Sequence, residues 1–109
     1  MFIISNFEIS QVIDMSSIFS GCSILTSINL STFHGISTKN MSNMFNGCSS
    51  LSSLDLSSFT TSQVTDMDGM FSGCSLLSSL NLCNFDTSKV TRMDSIFCNC
   101  SSLSFFRHI

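Results

Sequence analysis

The chain contains no proline, no tryptophan and no tyrosine, and only 10% of its residues are charged. Each shortage closes a functional class. Four Lys and Arg against seven Asp and Glu give a net charge of −3. That leaves no basic footprint for nucleic acid and no polybasic segment for an anionic membrane surface. Lack of Trp and Tyr removes the usual anchors of tight interfaces. The longest uncharged stretch, residues 15–33, is broken by serines, so no transmembrane segment is expected. Met1-Phe2-Ile3-Ile4 is too short, and has no basic lead-in, for a secretory signal. The two histidines, His34 and His108, have no nucleophile at a suggestive spacing, and no C-x-x-C occurs. Neither an enzyme nor a metal or cofactor site is therefore expected. Asp66, Asp68 and Asp94 lack the glycine and glutamate of a calcium loop and read as acids at helix starts.

What is present is repetition. Met15, Met41, Met67 and Met93 recur at a step of 26 residues, as do Phe19, Phe45, Phe71 and Phe97, and Cys22, Cys48, Cys74 and Cys100. Phe7, Phe33, Phe59 and Phe85 keep the same step. A period of this length means units stacked on one another, whose repeated residues build the stack. About a quarter of the chain is serine, so its polar surface is largely hydroxyl.

Within one unit, Leu54-Asp55-Leu56 alternates apolar and polar residues, the period of a half-buried strand. Val64, Met67, Phe71 and Cys74 step by three or four, the period of one helical face. Thr65 with Asp68, and Thr91 with Asp94, suit helix N-termini. Gly21, Gly47, Gly73 and Asn99 stand where a short helix should end. Each unit is expected to be a strand, a turn and a helix of about two turns, with strands parallel and about 4.8 Å apart.

The Leu-x-x-Leu-x-Leu spacing resembles the leucine-rich repeat. The longer string Phe59-Thr-Thr-Ser62-Gln-Val64-Thr65-Asp-Met67-Asp-Gly-Met70-Phe71-Ser-Gly73-Cys74-Ser-Leu-Leu77 resembles the BspA-like leucine-rich-repeat surface proteins of bacteria and some protists. The resemblance covers essentially the whole chain. The copy starting at Phe33 departs most, with His34-Gly35-Ile36 in the turn and Thr38 where Val12, Val64 and Val90 stand. The expected architecture is an α/β leucine-rich-repeat solenoid of about four 26-residue repeats, with a parallel sheet on one face and short helices on the other. Residues 1–109 read as a single array. Phe2 and Ile4 align with Ile28 and Leu30, and Phe106 to Ile109 with Leu80 to Cys83, so the array looks cut from a longer one, the alternative being a true terminus plugged by Phe105 and Phe106. Uncapped repeats at both ends imply end-to-end self-association.

The four cysteines of the ladder are expected to be small, buried and reduced. Strand spacing would hold their Cβ atoms about 4.8 Å apart, beyond the roughly 3.5–4.5 Å of a disulfide. Cys83 and Cys98 lie off the ladder at positions that hold Ser or Asn in other copies. The strand residues that point outward form the candidate interaction face: Ser27 and Asn29, Ser53 and Asp55, Ser79 and Asn81, and Phe105 and Arg107. The chain then has two readings. One, implied by the resemblance, is a cell-surface adhesion or protein-interaction module whose protein partners include host or matrix proteins. The other is a structural spacer with no ligand of its own, which the uniform serine of the face favours.

Overall fold

An Asp or Asn opens three of the turn segments, and its side chain sets the path of the next few residues. The Oδ1 atoms of Asp14, Asn40 and Asp66 accept the N–H of Ser16, Ser42 and Asp68, each at 2.9 Å. This local bond competes with a helix for the same donors. The next residue then takes a positive φ: 58° at Ser17, 55° at Asn43 and 63° at Gly69, with 59° at Ser95 of the fourth copy. No right-handed helix contains such a residue. A second positive φ comes at Gly21, Gly47, Gly73 and Asn99. The segment is therefore a run of tight turns.

The computed structural model describes residues 13–31 and 37–104 in full, and the backbone alone of Phe2–Ile3 and Phe105–Arg107. Among the described residues there is no helix. The strands are β1 (Phe2–Ile3), β2 (Ile28–Asn29), β3 (Ser79–Asn81) and β4 (Phe105–Arg107). β1 pairs with β2 and β3 with β4, both parallel, in two separate two-stranded sheets. Leu54–Leu56, the copy between them, is not a strand. The described body measures 32 × 30 × 21 Å. The expected α/β leucine-rich-repeat solenoid, with one continuous parallel sheet and a row of short helices, is thus overturned. The helix failed because the Asx bond and the left-handed residue after it break the helical path. The capping reading of Thr65 fails with it, because its hydroxyl donates to the Lys39 carbonyl of the preceding copy at 3.2 Å.

The 26-residue copies, here called coils, are joined through their turn segments. The N–H groups of Met15, Ser17, Phe19 and Gly21 donate to the carbonyls of Asn40, Ser42, Met44 and Asn46 at 2.7–3.0 Å. The same four-bond row joins the second coil to the third and the third to the fourth. Single parallel bridges link Asp14, Asn40, Asp66 and Arg92 in that order. Inside, Phe19, Phe45, Phe71 and Phe97 stack nearly parallel with ring centroids 5.5, 5.8 and 6.1 Å apart. Met41, Met44, Met67, Met70, Leu51 and Leu77 are fully buried around them. Each such side chain contributes about 1.5–3 kcal/mol by leaving water. Thr38 is buried on the rung of Val64, so the departing copy keeps its place in the core.

The strands are short for a related reason. Asn29, Asp55 and Asn81 accept the N–H of Ser31, Ser57 and Cys83 at 3.0, 2.9 and 3.0 Å. Those N–H groups are where a longer strand would have continued. Two-residue and three-residue strands are what remains.

Candidate functional site

The outward residues of the strand region border two openings in the surface. The larger, of about 320 Å³, lies between the β2 segment and the Leu54–Leu56 copy and is lined by Ile28, Asn29, Leu30, Ser31, Asp55, Ser57 and Ser58. A smaller one, of about 70 Å³, continues past Leu54–Ser57 to Asn81 and Asn84. Both flank the segment that fails to join either sheet. Asp55 and Ser57 are common to the two walls. Sequence and structure therefore meet at Asn29, Asp55 and Asn81, which the fold brings side by side.

The remaining expected face residues are placed differently. Ser53 and Ser79 are exposed and Ser27 is half-buried, but none of them lines either opening. Phe105 and Arg107 belong to β4 by their backbone, and their side chains lie outside the described residues. So do His34 and His108.

The chemistry of the cleft is mild. Asp55 is its single charged group. Hydrogen bonds from the Ser57 hydroxyl, and then from the Ser57 N–H, hold its carboxyl below the usual carboxylate range, so it is anionic at neutral pH. Asn29, Asp55 and Asn81 each have one oxygen tied to their own chain. Ser58 donates its hydroxyl to the Leu30 carbonyl at 2.8 Å. The walls present the Asp55 carboxylate among the Asn29 and Asn81 side chains, serines and aliphatic side chains.

A family model described as Mycoplasma protein of unknown function, DUF285, matches residues 2–106. The chain belongs to the DUF285 family. No curated protein and no solved structure matches it.

In this DUF285 chain the cysteines serve the stack. None of the six forms a disulfide among the described residues. Cys48 and Cys74 are buried, Cys22 and Cys100 half-buried, Cys83 and Cys98 exposed. The Sγ atoms of Cys48, Cys74 and Cys100 donate to the carbonyls of Phe19, Phe45 and Phe71 at 3.2, 3.2 and 3.0 Å. Burial, with the neighbouring Cys22 second, pushes the Cys48 thiol up to about 11. Burial, then Cys48 and Cys100, pushes Cys74 up to about 12. Thiols held this high are poor nucleophiles. Among the described residues no group of three His, Cys, Asp or Glu could hold a metal ion. No helix there is long and apolar enough to cross a membrane.

Sequence reasoning missed the role of the hydroxyls. Ser50, Ser75, Ser101 and Ser104 donate to carbonyls of Ser23, Ser49, Ser75 and Ser78 in the coil before. Thr65 and Thr91 do the same to Lys39 and Thr65. The serine of the DUF285 repeat is thus partly cross-link and not simply surface. Its recurrence at the 26-residue step was the available clue.

Proposed function

We propose that the chain is a non-enzymatic protein-interaction module, in a cell-surface or adhesion setting. The observation that carries this reading is the cleft, where the same position of successive copies, Asn29, Asp55 and Asn81, comes side by side. A surface built by repetition suits weak contacts made many times, because linked weak sites gain strength through effective concentration. The resemblance of the Phe59–Leu77 string to BspA-like surface proteins supports the setting, and with it host or matrix proteins as partners.

The test is binding of the chain to immobilised matrix proteins, beside a Ser57→Arg variant. Ser57 is exposed and lines both openings, so an arginine there fills the cleft without entering the core. The expected result is binding that the variant loses while melting at the wild-type temperature. Binding that survives the substitution removes the cleft from the proposal.

One observation favours a structural spacer as the second reading. Each of the three outward Asx side chains is folded back on its own backbone, which leaves less of it for a partner. Absence of binding by wild type across the matrix proteins supports the spacer.

A further inference from the structure

Among the described residues, no main-chain bond joins Ile28–Leu30 to Leu54–Leu56 across the larger opening. The turn segments that precede them, residues 15–21 and 40–46, are joined by four. The backbone has therefore been left open inside the chain, at the cleft.

Two side-chain bonds show which way the edges face. The Ser58 hydroxyl donates to the Leu30 carbonyl at 2.8 Å, so that carbonyl points across the cleft. On the far side, the Asn84 Nδ2 donates to the Leu56 carbonyl at 3.1 Å. In an extended segment, successive residues turn their N–H and C=O to opposite edges. Ile28 and Leu30 therefore turn theirs into the cleft from one wall, and Asp55 from the other. Among the described residues, the Leu30 N–H and the N–H and C=O of Asp55 have no hydrogen-bond partner. The side chains of Ile28 and Leu30 belong to the core, which leaves their main-chain edge to border the opening. Main-chain groups left unpaired at an edge are where an added strand pairs.

Charge and size narrow the occupant. Asp55 is the single charged residue on either wall, and it is ionised at neutral pH. A carboxylate brought beside it would be repelled, and a cation is matched. The volume of about 320 Å³ lies at the low end of ligand sites, which run from roughly 300 to 1,000 Å³. It suits a few residues of extended chain.

Granted the reading of the chain as an interaction module, on which this depends, we propose that the cleft takes a short extended peptide. The peptide pairs through its main chain with the Leu30 and Asp55 edges and sets a lysine or arginine against the Asp55 carboxylate. One main-chain hydrogen bond is worth about three- to tenfold in affinity. An exposed charge pair is worth about two- to fivefold at most. The main chain therefore carries most of the affinity, and the charge selects among peptides. The N–H groups of Ser31 and Ser57 are already taken by Asn29 and Asp55, so the paired stretch ends there.

NMR titration of the full chain tests this with three pools of blocked pentapeptides, each with Val, Thr, Ser and Leu mixed at the outer positions. One pool has lysine at the centre, one has glutamate, and one has lysine with N-methylated amides. The lysine pool is expected to shift the amide resonances of Leu30 and Asp55. The N-methylated pool should bind about three- to tenfold more weakly for each bond lost. Asp55→Asn keeps an acceptor of the kind that Asn29 and Asn81 supply at the same position, so its fold is preserved. It should still bind, and it should lose the preference for lysine over glutamate. The proposal is overturned if the lysine pool gives no shifts, or if the N-methylated or glutamate pool binds as well. Shifts that grow with protein concentration alone assign the cleft to a second copy and also overturn it. Matrix proteins that bind wild type and not Ser57→Arg, with no pool bound, remove the peptide and leave the interaction module standing. Lysine-pool binding with no matrix protein bound supports the peptide site and removes the matrix partners.

Discussion

The turn side and the strand side of this molecule come from the same 26-residue period, yet only one forms an unbroken ladder. Three full rows of bonds tie the turn segments together, from Met15 to Cys98. On the other side β1–β2 and β3–β4 stand apart, and Leu54–Leu56 joins neither. Both sides use Asx bonds, so the bond itself is not the difference. On the turn side it is followed by a left-handed residue, such as Asn43, whose N–H then reaches the next coil. On the strand side it captures the N–H of Ser31, Ser57 or Cys83, and the strand ends there. A regular repeat does not by itself make a regular sheet. What matters is whether the side-chain acceptor adds to the backbone ladder or competes with it.

The largest effect that would sharpen this contrast is expected at Phe71. Its ring is fully buried between Phe45 and Phe97, and Phe71→Ala should cost about 3–5 kcal/mol. Leu54→Ala, at a half-buried strand-side position, should cost less than half of that. Urea unfolding of both variants decides it, and equal losses would break the comparison. Next come the glycines. Gly73 has a φ of 76°, and a Cβ there would lie 3.3 Å from the Gly47 nitrogen. Gly21 has a φ of 79° with nothing within 4 Å. Alanine at either position should cost about 1–3 kcal/mol for its backbone conformation. Gly73→Ala should cost more, and the excess in denaturant midpoint reads the closeness of the coils.

An alkaline titration should give a smaller effect, confined to the turn side. Cys48 and Cys74 are raised from 9.0 to about 11 and about 12. Below pH 9 the thiols are protonated in both folded and unfolded chains, and their contribution is intact. As pH rises from about 9 toward 12 the unfolded chain releases the protons first, so stability falls. Melting temperatures across that range should drop in wild type and drop less in Cys74→Ala, measured against the variant's own value at pH 8. The smallest change is expected from Asn81→Ala, which removes the acceptor for the exposed Cys83 N–H. It should cost about 0.5–1.5 kcal/mol at most. Faster amide exchange at Cys83, with no change at Gly73, would confirm that the two sides are held separately.

Much of the interior was legible before the structure. The Met, Phe and Leu rungs could be counted, and Phe45, Phe71, Met41, Met67, Leu51 and Leu77 lie where the count placed them. Positive φ at Gly21, Gly47, Gly73 and Asn99 also agrees with residue type, although these residues close turns and not helices. The cleft was legible only in part. Asn29, Asp55 and Asn81 were named as outward residues, but alternation alone could not show that their oxygens bond the backbone two residues on. Nor could it show that the copy at Leu54 stays out of the sheets, since its sequence is as strand-like as that of Ile28–Leu30.

The sequence by itself determined the period, the inward rungs and the residues that open each turn, because hydrophobic spacing and turn chemistry act within a few positions of the chain. Only the tertiary structure decided that Val64, Met67, Phe71 and Cys74, spaced like one face of a helix, lie on a run of turns. Steps of three and four bring side chains to one side in either conformation. The two conformations differ in where the backbone N–H goes. Here the partner of Met67 is Arg92, 25 residues onward in the next coil, and no local pattern reaches that far.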